Sequence, residues 1–148
     1  MKKYNICFCY DAKVDVEVLA NSREEAIEKA SQIEMPLEDY DFDLNETIVN
    51  TTGEEIGSLD KLTEKAVEIM KRVDCIGPIS FLTASVLVWD GFSMNPIVKR
   101  IDSIYWDELH EEICFDAGDS SECCLSDCSE IEQYNICKEI IKSDKTNH

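Results

Sequence analysis

The sequence predicts an α+β fold: a mainly antiparallel sheet with three to four helices, opening on a ββα(β) module. Three observations predict it. Apolar residues alternate with period two over residues 2–20 and recur at helical spacing over residues 58–73. An apolar run rich in β-branched and aromatic residues then fills positions 79–89, ahead of a turn at Asp90-Gly91.

Tyr4, Ile6, Phe8 and Tyr10 fall on one side of a first strand, and Val14, Val16 and Val18 oppose Asp15 and Glu17 in a second. The turn between them falls near Asp11-Ala12. Ser22 with Glu25 three residues later has the form of a capping box. Ala26, Ile27, Ala30 and Ile33 supply the stripe of the helix it opens, with Pro36 as its stop. A third short strand is expected over residues 40–49, and Gly53 and Gly57 mark a turn region over 51–57.

The fragments Lys3-Tyr-Asn-Ile6, Val14-Asp-Val-Glu-Val-Leu-Ala20 and Ser22-Arg-Glu-Glu-Ala-Ile27 together resemble the small DpnD/PcfM-type modules of phages and mobile elements. The resemblance covers about a third of the chain. It implies a mobile-element setting and brings no catalytic residues.

Leu59, Leu62, Ala66, Ile69, Met70 and Val73 define the second helix. The apolar run at 79–89 reads as a buried strand, and residues 97–106 as its returning partner. Leu109 and Ile113, four apart, suggest a short helix over 107–115, followed by an irregular loop over 117–127. Ser129 with Glu132 opens a last helix through Ile131, Tyr134, Cys137 and Ile141, and the residues after Ile141 read as a frayed tail. The expected organisation is a module at 1–52 packed with a larger half at 53–148 as one compact unit.

Charge is the feature that bears on function. The chain holds 32 Asp and Glu against 14 Lys and Arg, a formal net charge of −18. Nine carboxylates and no base lie between Lys29 and Lys61, and eleven more, again with no Lys or Arg, lie from Ile101 to Cys137. Such charge repels phosphate, which excludes ordinary binding to nucleic acid or acidic membranes, and it attracts basic surfaces. The first residues hold no apolar run long enough for a secretory signal, and no apolar stretch reaches membrane-spanning length, so a cytoplasmic setting with reduced cysteines is expected.

In an extended strand Asp39, Asp41 and Asp43 point to one side, about 6.7 Å apart. Nucleic acid advances about 3.4 Å per phosphate along a strand, so this row matches alternate phosphates. Glu38 and Glu46 flank it. Asp107, Glu108, Glu111 and Glu112 on a helix stand as a second row. These nine residues are the expected contacts to a basic protein surface, such as that of a nucleic-acid-binding host defence protein. The role they suggest is that of an anti-CRISPR or anti-restriction inhibitor working by nucleic-acid mimicry. The alternative is a regulatory or scaffold module whose acidity serves solubility.

Calcium fits poorly. Asp39, Asp41, Asp43 and Asn45 match alternate ligand positions of an EF-hand loop, but Leu44 stands at the turn glycine and Asn50 at the closing glutamate. His110, Cys114, Cys124 and Cys128 form a further candidate set, for zinc, although their spacing lacks a paired Cys-x-x-Cys knuckle. No nucleophile elbow, phosphate loop or His-Glu-x-x-His motif is present, so no enzymatic activity and no cofactor are expected.

Overall fold

The computed structural model describes residues 1–9, 13–33, 48–118 and 123–147. Its contacts divide the chain into two units, Met1–Ser58 and Leu59–His148.

In the first unit, β1 (Lys2–Cys9) pairs antiparallel with β2 (Lys13–Ala20), setting Tyr4 opposite Val18 and Ile6 opposite Val16. α1 (Arg23–Ser31) follows, and β3 (Ile48–Glu55) pairs with the other edge of β1, giving the order β2-β1-β3. Tyr4, Ile6, Phe8, Val18 and Ala20 form a core with Ala26 and Ala30 of α1. Two alanines four apart let the helix lie close against the sheet.

Ser22 caps α1 by accepting from the Glu25 N–H at 3.2 Å. The Glu25 carboxylate reaches back to the N–H of Asn21, one residue before the cap, so the box closes one position early. The helix ends at Ser31, well before Pro36, which leaves Ile33 outside it and exposed.

The glycine-marked region 51–57 is strand as far as Glu55 rather than turn. Gly53, at φ 70°, takes up a bulge between the Tyr4↔Thr51 and Lys2↔Glu55 pairs. The Ile56 N–H also bonds the Met1 carbonyl at 2.9 Å. Pairing this far along holds residues 53–58 in the first unit, later than the expected boundary at 52.

The second unit starts with α2 (Leu59–Met70), which buries Ala66, Ile69 and Met70. β4 (Ile79–Trp89) and β5 (Met94–Ile101) form a hairpin, and β6 (Ser103–Asp107) and β7 (Glu112–Asp116) form a second. A 3₁₀ turn (Leu125–Asp127) leads into α3 (Glu130–Thr146). Leu82, Ala84 and Val86 of β4 join Ile101, Ile104, Ile113, Phe115, Ile136, Cys137 and Ile140 in one core with α2.

Three expectations are corrected here. β4 is half-buried, not buried: Phe81 is 69% exposed while its neighbour Leu82 is inside. The expected 97–106 strand is two strands parted at Asp102, whose N–H bonds Asp116 O at 2.8 Å. Its carbonyl lies 2.5 Å from where a Cβ on Gly77 would stand, so that approach requires glycine. The tail from Lys142 to Thr146 is helical, with Lys142 paired to Glu139 and the Thr146 hydroxyl bonded to Lys142 O.

The Ser129–Glu132 box also takes another form. Ser129 Oγ donates to Glu132 Oε1, and Glu132 Oε2 accepts from the Ser85 N–H at 2.8 Å, tying α3 to β4. Among the described residues no helix is long and apolar enough to cross a membrane.

Candidate functional site

The expected helix over 107–115 is a β-hairpin. Asp107 ends β6, and its Oδ1 accepts from the N–H groups of Leu109 and His110 at 2.8 and 3.4 Å, folding the chain back at once. Glu111 completes the reversal at φ 52°. Glu112 begins β7, opposite Asp107. The second acidic row therefore never forms on a helix.

Two of its members are committed within the protein. Asp107 Oδ2 lies 2.8 Å from His110 Nδ1, and the Glu112 carboxylate bonds both the N–H and the hydroxyl of Ser126. Glu108 and Glu111 are exposed in the turn. The first row, Glu38, Asp39, Asp41, Asp43 and Glu46, lies outside the described residues, as does Asn45 of the calcium reading.

Glu112 draws the Ser126 segment against β7, where Cys114 and Cys124 form an isolated antiparallel bridge and Phe115 N–H bonds Cys123 O at 2.8 Å. The Cys114 and Cys124 sulfurs are 2.7 Å apart. His110 joins them: one ligand atom from each of the three lies within 4.8 Å of the others. Cys128 does not. It is buried, and its Sγ turns to the Cys124 carbonyl at 3.6 Å.

His110, Cys114 and Cys124 line a cleft of about 540 Å³, together with Tyr105, Asp107, Glu112, Asp116 and Asp127. Among the described residues four carboxylates and no Lys or Arg face it, which sets its electrostatics. Burial, then the neighbouring Cys124, pushes the Cys114 thiol far up. Burial also raises Cys124, with Glu112, Asp127 and Asp107 adding to it. The hydrogen bond that Asp107 accepts from His110 raises His110, and the same bond lowers Asp107. In this field a cation is favoured and a bare thiolate is not.

The sequence reading placed His110 and Cys114 on one helical face and drew Cys124 and Cys128 from the loop that follows; a hairpin replaces the helix, and Cys128 turns away from the other three. That reading missed Asp116 and Asp127 as cleft carboxylates; their signal was the absence of any base from residue 101 to 137. Comparison with known families, curated proteins and solved structures finds no match to the chain.

Proposed function

We propose that this is a non-enzymatic acidic binding protein that captures a basic, nucleic-acid-binding protein surface. The observation that carries the reading is the charge of the β6–β7 region: Glu108, Glu111, Asp116 and Asp127 are exposed in a segment with no Lys or Arg. Surface charge of one sign opposes folding through self-repulsion, and a complementary partner relieves that cost. The base-free segment at 30–60, with its Asp39, Asp41 and Asp43 row, supports the same reading from the sequence.

The finer reading is inhibition of a host defence protein of anti-CRISPR or anti-restriction type by occupying its nucleic-acid groove. It draws on the mobile-element resemblance of residues 3–27 and on the phosphate-like spacing of that row. Asp107 and Glu112 also hold hydrogen bonds within the protein, so Glu108 and Glu111 are the more exposed members of the second row.

Immobilised protein, exposed to a lysate of its source cells, tests the reading. The expected capture is a basic nucleic-acid-binding protein that added DNA or RNA displaces and that moderate salt releases. Capture indifferent to both salt and nucleic acid would count against the reading.

A further inference from the structure

We propose that His110, Cys114 and Cys124 bind a zinc-class divalent ion, with Asp107 orienting the imidazole from outside the coordination shell. The inference is separable from the basic-partner reading: its ligands are His110, Cys114 and Cys124, and only the cleft carboxylates Asp116 and Asp127 are common to both. Two thiolates and an imidazole are a soft to borderline donor set, which suits zinc and discriminates against calcium and magnesium. The three come together through two separate devices. The Asp107 turn places His110 beside β7, and the Glu112–Ser126 bonds bring the Cys124 segment onto Cys114.

The Asp107–His110 contact at 2.8 Å has the form of the carboxylate–histidine pairs that fix a metal-binding imidazole. An Nδ1–H donated to the carboxylate leaves the lone pair of the neutral ring on Nε2. Around a tetrahedral zinc, ligand atoms stand roughly 3.3–3.8 Å apart, given bonds of about 2.3 Å to sulfur and 2.0 Å to nitrogen. The sulfurs at 2.7 Å therefore part by about 1 Å and the imidazole closes in, both through side-chain rotation.

The surrounding charge favours the ion. Asp107, Glu112, Asp116 and Asp127 line the same cleft, and a dication turns their effect on the thiols from a penalty into a stabilisation. On binding, each Cys S–H bond breaks, its proton passes to solvent and a sulfur–metal bond forms. About two protons are released for each ion. Cys128 is directed to the Cys124 carbonyl, so the fourth position is left to water from the cleft.

The test is a zinc titration of the full chain in reductant, in competition with a chromophoric chelator. The expected result is one ion per chain, with a thiolate-to-metal charge-transfer band when cobalt replaces zinc. Asp107→Asn should weaken affinity by about 10–100-fold, the range for an outer partner. His110→Ala and Cys124→Ser should each weaken it by more than that upper bound, while Cys128→Ser should leave it unchanged. Circular dichroism of each variant confirms that it is folded. Absence of stoichiometric binding, binding that survives Cys124→Ser, or a Cys114–Cys124 disulfide that persists in reductant would each overturn the proposal.

Discussion

Single side chains in this protein owe their worth to position more than to type. Ile140 of α3 and Ile33 are both isoleucines, yet Ile140 is fully buried, whereas Ile33, which sequence spacing put on a helical stripe, is 43% exposed beyond the end of α1. Ile140→Ala should therefore cost about 2–5 kcal/mol, and Ile33→Ala about 0.5 kcal/mol or less. Urea unfolding reads both, and equal losses would contradict the burial described. The thiols divide in the same way. Burial pushes Cys128 up to about 12 and Cys137 up to about 11, while Cys75 is exposed. Alkylation at pH 8 should label Cys75 first, since the thiolate is the reactive species. Peptide mass spectrometry follows the order, and labelling of Cys137 as fast as Cys75 would show that its surroundings open to solvent.

At the level of elements, turn chemistry decides what periodicity leaves open. The Asp90 carboxylate accepts from the N–H groups of Ser93 and Phe92, which holds it below its ordinary value of 3.8. A carboxyl lowered in the folded state stabilises above its unfolded pKa, and that contribution is lost as pH falls through the folded one. Asp90→Asn should therefore be less stable than the parent at neutral pH, with the gap closing below about pH 4. Thermal melts across that range check it, and a gap that widens in acid would reverse the sign. Gly77→Ala should cost about 1–3 kcal/mol, because its Cβ meets the Asp102 carbonyl with no flexible side chain to yield.

Asp107 acts as Asp90 does, and it explains the largest error of sequence reasoning. Leu109 and Ile113 are four apart and so suggest a helix, but a five-residue strand beside a turn carries too few positions to reveal its own period. The cue was Asp107 itself, able to fold the next residues back onto its side chain. Strands β1 and β2 and helix α2 were legible because each carries an apolar repeat over at least eight residues, and β4 because it is a long run rich in β-branched and aromatic residues. The helical run from Lys142 to Thr146 was not, since it is held by polar pairs that no hydrophobic pattern records.

On the scale of the whole molecule, charge organises the account. Buried apolar side chains define a core in each unit, and the described carboxylates are left to the surface and the cleft. Three members of the site were named from residue type and spacing, whereas their meeting depends on a hairpin and on the Glu112–Ser126 tie, which that spacing did not reveal. Under the proposed function, the exposed carboxylates of the β6–β7 region and the sequence row at Asp39, Asp41 and Asp43 would supply the field that draws a cationic partner. The most direct measurement is the affinity for the captured partner across a salt series, for the parent and for a variant carrying Asp39→Asn, Asp41→Asn and Asp43→Asn. The account predicts steep weakening of the parent between low and moderate ionic strength, and a weaker, flatter response in the variant. Equal affinity and equal salt slope for the two proteins would contradict it.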